Sequence, residues 1–142
     1  MVGVNNTIYL IDFELGLRYH DPYTGHHIPA IKVSDIVGTV RYTSVNSHMR
    51  LQQSRRDDLE SLAYTLAYLV QGKLPWQNIS SRNPNRNALV LRKKQKIGEE
   101  ICVGVPSPIT TFLHYARSLA FEGRPDYVHV HSLMQSCISD IS

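Results

Sequence analysis

The feature that most constrains this chain is a segment, residues 54–72, that is apolar on nearly every side. Ser54 stands three residues before Asp57, a variant of the capping box that begins helices. Gly72 stands where a left-handed C-terminal cap is expected. The apolar residues between these signals are Leu59, Leu62, Ala63, Leu66, Ala67, Leu69 and Val70. A helix that is apolar all round has to be buried, so we expect residues 54–70 to form the most buried helix, with three leucines inside: Leu62, Leu66 and Leu69.

Three further helical patterns follow this segment. Residues 88–97 have an apolar face and place Arg92, Lys93 and Lys94 on the wet side. A helix starting with Ser107 as cap and Pro108 at its first position carries an apolar face as far as Leu119. The last helix is expected to start at Asp126 and to bury five side chains: Val130, Leu133, Met134, Cys137 and Ile138.

The residues before the first helix have a different character. Residues 7–13 (TIYLIDF) form a β-rich run that predicts a short strand. Residues 14–53 contain scattered glycines and prolines and sustain neither a helical nor a strand period. A loop of this length is usually functional or disordered. The predicted fold class is mainly α, with a short β segment at the N-terminus and one long loop.

Composition excludes several classes of protein. With 142 residues, 42% of them hydrophobic, the chain fits one domain or a piece of a larger one and has enough apolar side chains for a core. The net charge of +3 is too small to indicate nucleic-acid binding. Cys102 and Cys137 match neither a disulfide framework nor a zinc spacing. No apolar run approaches the roughly 20 residues of a membrane span, and no signal peptide is visible. We expect an intracellular protein, in the cytoplasm, the nucleus or both, that binds neither membrane nor nucleic acid.

Asp12 is the first residue with a candidate chemical role. A carboxylate at the end of a hydrophobic strand can bind Mg²⁺, which prefers one or two carboxylates together with substrate phosphates. An Asp-Phe pair alone is far more often just the end of a strand. The interpretation therefore depends on the sequence around it.

That sequence contains an ordered series of short motifs. They are residues 8–13 (IYLIDF), 27–29 (HIP), 38–48 (GTVRYTSVNSH), 53–62 (QSRRDDLESL), 74–77 (LPWQ), 117–119 (RSL) and 125–127 (PDY). From about residue 7 to residue 138, the series resembles the helical C-terminal lobe of a protein kinase, and specifically of the casein kinase I family. Asp12 and Phe13 resemble the start of the metal-binding Asp-Phe-Gly triplet. Residues 44–46 stand where most kinases have Ala-Pro-Glu, and the long loop resembles an activation loop.

The resemblance implies a role for three residues. Asp12 would hold Mg²⁺ with ATP. Arg41 would belong to an anion pocket that favours phosphorylated or acidic substrates, as arginine clusters generally do; a solvated surface arginine is the alternative. Asp58 matches a buried helix aspartate that braces the catalytic loop. Since no such loop is encoded here, a structural role, capping free N–H groups at the start of the helix, is the safer assignment for Asp58.

The same resemblance shows which kinase parts these residues lack. The chain contains no Gly-rich phosphate loop, no strand lysine and no His-Arg-Asp catalytic loop. Glu14 replaces the glycine of the triplet and brings a second carboxylate near the place expected for phosphates. Residues 1–142 are therefore interpreted as a partial kinase-like domain that is inactive as an isolated chain.

Three functional hypotheses remain at this stage. The leading one is the C-lobe portion of a casein kinase I-type serine/threonine kinase, which would transfer phosphate from ATP to protein substrates. The second is a non-catalytic, pseudokinase-like module that binds a kinase or substrate partner, with self-association through exposed lobe surface. The third, a nucleic-acid binder, has only the basic run of residues 92–96 behind it and no interleaved aromatic residues.

Overall fold

The computed structural model describes residues 4–96, 101 and 103–141, and in this part of the chain the fold is mainly α. Five α-helices are present: α1 (Val45–His48), α2 (Arg55–Gln71), α3 (Arg86–Gln95), α4 (Ser107–Ser118) and α5 (Tyr127–Ile141). Two short 3₁₀ turns precede them, at Val4–Asn6 and Phe13–Leu15. The predicted mainly α class is confirmed. Cys102 and Ile97, the last residue of the helix predicted over residues 88–97, lie outside the described residues.

Helix α2 begins and ends as its flanking residues predict. The Asp57 carboxylate accepts the backbone N–H of Ser54 at 2.8 Å, which satisfies a donor that the first turn leaves without a helical partner. At the other end Gly72 adopts φ 70° and donates its N–H to the carbonyl of Tyr68 at 2.7 Å. This left-handed conformation is inexpensive only for glycine, and it ends the helix where the sequence indicates.

The burial expected for α2 is wrong in part. Its buried side chains are Asp57, Leu59, Glu60, Ala63, Tyr64 and Ala67. Leu62 is 45% exposed and Leu69 is 71% exposed, and only Leu66 of the three predicted leucines packs partly against the core. The reason is that α4 and α1 cover one side of α2, whereas no described segment covers the leucine side. Helix α2 therefore has one buried face and one solvent-exposed face.

The core lies where α2 and α4 meet. Phe112, Leu113 and Ala116 of α4 are almost fully buried against α2, and Trp76 and Tyr64 pack edge to face with ring centroids 5.1 Å apart. Helix α4 begins one residue earlier than predicted, because Pro106 occupies the cap position and Ser107 and Pro108 are the first two helical residues.

Helix α5 packs on α4 and starts as predicted. The Asp126 carboxylate accepts the N–H of His129 at 2.9 Å and so caps the first turn. Cys137 is buried, and three other predicted core residues are partly buried: Val130, Leu133 and Met134. Ile138 is 68% exposed, so its predicted burial is wrong.

The N-terminal arm, which we define as residues 4–38, does not contain the predicted strand. Residues 7–13 have no named strand, and Ile8 and Leu10 are each 81% exposed. A strand needs a neighbour along its length to satisfy its N–H and C=O groups, and in this run only Ile8 takes part in a β-bridge. Further along the arm, β-bridges join His20 with His27 and Lys32 with Leu51. Ring contacts hold the arm to the rest of the chain: the guanidinium carbon of Arg55 lies 4.3 Å from the ring centroid of Tyr19, and the ring centroids of His27 and Phe121 are 4.8 Å apart. None of the helices in the described part of the chain combines the length and apolar character that crossing a bilayer requires.

Candidate functional site

Asp12 lies in the exposed arm. It adopts φ 68° and ψ 49° immediately before the 3₁₀ turn Phe13–Leu15, a left-handed conformation that is unusual for a residue with a side chain. The turn closes with a hydrogen bond of 2.9 Å from the N–H of Gly16 to the carbonyl of Phe13. The chain therefore bends sharply at Asp12, where the sequence predicts the end of an extended strand.

A groove separates this turn from the start of α2. It encloses about 520 Å³, and its walls are lined by residues 14–17 and 51–55 together with Tyr19, Val33, Val37 and Asp58. Glu14 and Asp58 thus share one groove, whereas Asp12 is not among its lining residues. Partial burial in this wall, together with the neighbouring Asp57 carboxylate, raises the pKa of Asp58 above its usual value.

These acidic residues do not by themselves make a magnesium site. Among the described residues no group of three or more His, Cys, Asp and Glu side chains converges on one point. Mg²⁺ requires near-octahedral oxygen ligands, and one exposed carboxylate supplies too few of them. The donor set around Asp12 therefore does not fit a resident Mg²⁺, and it falls short of the Mg-ATP site that the sequence resemblance implies.

Arg41 lies outside that groove, at the turn that precedes α1. Its guanidinium carbon is 5.8 Å from the ring centroid of Tyr42 and 5.5 Å from that of Tyr68. Its backbone carbonyl accepts the indole N–H of Trp76 at 2.8 Å. Cation–π contacts with the two rings restrict the position of the guanidinium, and arginine is the side chain that most often binds carboxylates and phosphates.

Asp58, assigned from the sequence as the structural acid of the helix start, is exposed; its neighbour Asp57 performs that role. Asp57 is 1% exposed and its Oδ1 accepts the Ser44 hydroxyl at 2.6 Å and the Asn46 amide at 3.1 Å. Arg56 lies 3.7 Å away on the Oδ2 side. Two consecutive residues of a helix are about 100° apart around its axis, so only one of these aspartates faces inward, and the motif alone cannot tell which one.

Glu60, one turn further along α2, also binds the start of α1. Its Oε1 accepts the backbone N–H of Val45 at 3.1 Å and the hydroxyl of Tyr64 at 2.6 Å. Desolvation raises the pKa of Tyr64 well above its usual value, and the contact with the buried Glu60 carboxylate raises it further. Glu60 is therefore a second inward-facing acid that orders α1.

Lys94 contradicts the sequence pattern. The pattern predicts that its side chain lies on the solvent-exposed side of the helix, but the side chain is fully buried. Its Nζ donates to the backbone carbonyls of Val40, at 3.0 Å, and of Thr43. The same Nζ lies 4.9 Å from the ring centroid of Tyr64 and 5.0 Å from that of Trp76. A run of adjacent cations gives no sequence signal for the one that turns inward.

We call Asp57, Glu60 and Lys94 the buried joint, because together they bind residues 40–48 to α2 and α3. A weak signal for it exists in the sequence. Asp57, Glu60 and Tyr64 are spaced three and four residues apart, so they lie on one face of the helix, the same face as Leu59, Ala63 and Ala67. Acids on an apolar face need partners, and the polar residues 43–48 provide them.

No protein-family model matches this sequence. The resemblance to the casein kinase I family accordingly rests on the motif series in the sequence.

Proposed function

We propose that this chain is the C-lobe portion of a casein kinase I-type serine/threonine protein kinase, and that these 142 residues do not transfer phosphate by themselves. The observation that carries the proposal is the buried joint. The residues that resemble the end of an activation loop, 38–48, are held against α2 and α3 by an aspartate, a glutamate and a lysine. A kinase needs this segment fixed, since phosphoryl transfer depends mainly on positioning.

The placement of Arg41 supports the same reading. It follows Val40, whose carbonyl Lys94 holds, and its own carbonyl is held by Trp76. The main chain on both sides of Arg41 is thus anchored, while its guanidinium lies over two tyrosine rings at the edge of the core. An anchored arginine of this kind would favour protein substrates with an acidic or phosphorylated residue near the acceptor hydroxyl.

The expected lack of phosphotransfer activity follows from the catalytic elements that these residues lack. They include one candidate metal ligand, Asp12, and they lack the Gly-rich loop, the phosphate lysine, the catalytic base and the second metal-binding asparagine. Each acid–base or electrostatic element is typically worth about 10²–10³ in rate. Removing several leaves no rate above background.

The test is a phosphotransfer assay with radiolabelled ATP on an acidic protein substrate, run beside a thermal-shift titration with Mg-ATP. We expect no incorporation of phosphate and no shift at millimolar nucleotide. Activity that Asp12→Ala abolishes, and that Asp35→Ala in the same arm preserves, would contradict the predicted silence.

The kinase relation itself is tested by complementation. A separately produced N-lobe and catalytic loop of a casein kinase I-type enzyme is mixed with this chain, and phosphotransfer is measured again. We expect activity that requires both polypeptides, that falls with Asp12→Ala, and that loses its preference for acidic substrates with Arg41→Ala. Absence of binding between the two polypeptides in calorimetry would overturn the assignment.

One observation favours the second candidate, a non-catalytic interaction module. The arm exposes a run of large apolar side chains, each 53–81% exposed: Ile8, Leu10, Ile11, Phe13, Leu15 and Leu17. A surface of this kind promotes association. We expect the chain to bind a hydrophobic dye and to self-associate, and the double variant Ile8→Ser, Leu10→Ser to do both less. A monomer in light scattering that binds no dye would exclude this function for the arm.

A further inference from the structure

Two buried bases beside residues 40–48, Lys94 and His48, are faced by more positive than negative groups. Lys94 is 0% exposed and His48, at the end of α1, is 7% exposed. The charged groups that face them are Glu60 from α2, Arg117 from α4 and Arg86 from α3, and Tyr64 of α2 adds a neutral hydroxyl. Arg117 is fixed there because its Nη1 donates to the carbonyl of Lys94 at 2.8 Å. One carboxylate thus faces two arginines, a lysine and a histidine.

This surplus disfavours protonation of both buried bases. Desolvation lowers the pKa of Lys94 to about 7; Glu60 opposes the change, and Arg117 and Arg86 add to it. Desolvation likewise lowers the pKa of His48 to about 4, and the positive charges of Lys94 and Arg86 lower it further. Contact with the Val40 backbone has the opposite effect and raises this pKa. Both groups would regain their ordinary affinity for protons if residues 40–48 moved away and water entered.

We propose that Lys94 and His48 form a proton-sensitive latch that keeps residues 40–48 closed on α2 and α3 and lets this segment open more readily as the pH falls. The inference rests on the packing of the joint and is independent of the proposed kinase function. Opening breaks the contacts of Lys94 with Val40 and Thr43 and hydrates both bases. At a pH between its buried and its exposed pKa, each hydrated base then takes up a proton that it does not hold when buried.

The direction follows from linkage. The open segment binds more protons than the closed one wherever the pH lies between the buried and the exposed pKa of either group. For Lys94 this window runs from 10.5 down to about 7, and for His48 from 6.5 down to about 4. Acidification therefore favours opening first through Lys94 and then through His48. Below the lower window neither group contributes a further change.

Native-state hydrogen exchange of the 142-residue chain at pH 8.5, 6.5 and 4.5 tests the latch. The probes are the amides of Tyr42, Thr43 and His48, which donate within the segment, and the reference is the set of α4 amides around Phe112. Each rate is divided by its intrinsic rate at the same pH. We expect the opening equilibrium of the probes to rise at least about tenfold over each pH step, relative to the α4 amides.

Two variants distinguish the pH range in which Lys94 acts from the pH range in which His48 acts. Lys94→Met is expected to remove the dependence between pH 8.5 and 6.5, and His48→Gln the dependence between pH 6.5 and 4.5. Lys96→Met, which removes the same charge from an exposed position on the following turn, is expected to leave both unchanged. If Lys94→Met does not fold, the pH dependence of the opening equilibrium in the wild-type chain still tests the proposal. Probe amides whose protection does not change with pH, or changes only in parallel with α4, would overturn the proposal.

Discussion

The arm, residues 4–38, and the helical body, residues 44–138, contain similar numbers of apolar side chains for their length but use them in opposite ways. In the body, Phe112, Tyr64 and Trp76 are at most 1% exposed. In the arm, Phe13 is 70% exposed and Leu15 is 69% exposed. The difference shows that apolar composition is not enough for burial. A segment is buried only when a second element packs against it, as α4 packs against α2, and in the described part of the chain no helix covers Phe13 and Leu15.

The largest expected contrast is between two phenylalanines. Phe112→Ala removes a fully buried ring between α2 and α4, so we expect a loss of about 3–5 kcal/mol in the free energy of unfolding. Phe13→Ala removes an exposed ring and is expected to change stability by less than about 0.5 kcal/mol. Urea denaturation followed by circular dichroism measures both. Equal losses would mean that the arm is part of the core.

The next contrast compares two aspartates that accept backbone N–H groups. Asp57 is buried in the joint, whereas Asp21 accepts the N–H groups of Tyr23 and Thr24, at 2.9 and 2.8 Å, in the exposed arm. Asp57→Ala leaves several buried donors unpaired, and we expect a loss of about 2–4 kcal/mol. Asp21→Ala is expected to cost much less, because water replaces the carboxylate. Similar denaturation midpoints for the two variants would show that the joint does not stabilise the body.

A smaller contrast lies within α2. Leu66 packs partly against the core, and Leu69 is 71% exposed. We expect Leu66→Ala to cost about 1–2 kcal/mol, below the range for a fully buried leucine, and Leu69→Ala to cost less than about 0.5 kcal/mol. The same denaturation experiment checks both. If Leu69→Ala is the more costly change, the exposed side of α2 is covered in solution.

The smallest expected effect concerns Asp58. Its raised pKa means that the folded chain binds a proton more tightly than the unfolded chain, so the charged form costs stability at neutral pH. Asp58→Asn should therefore be neutral or stabilising by a few tenths of a kcal/mol, since the group is exposed and screened. The gain should disappear as the pH falls below the pKa of the unfolded carboxyl, near 3.8. Thermal melts at pH 7 and pH 3.5 measure it, and a variant destabilised at pH 7 would contradict the stated cause.

Local signals in the sequence determined both ends of α2 and the start of α5, whereas α1 lies in the stretch expected to be a loop. Ser54 with Asp57 and Gly72 set the limits of α2, and Asp126 marks the start of α5. These predictions succeed because capping groups and left-handed glycines act on backbone atoms within a few residues. The run of residues 7–13 fails as a strand for the complementary reason: a strand depends on a partner that its own residues do not specify.

Tertiary structure alone decided which side chains face inward. The sequence pattern gives α2 leucines on several sides, and only the position of α4 selects Ala63, Tyr64 and Ala67 as the packed face. Packing also leaves Asp58 exposed while Asp57 is buried, and it turns Lys94 from an expected surface cation into a buried one. Burial of a charge depends on partners that are distant in the chain, here Val40, Thr43 and Glu60, and these come together only when the helices pack.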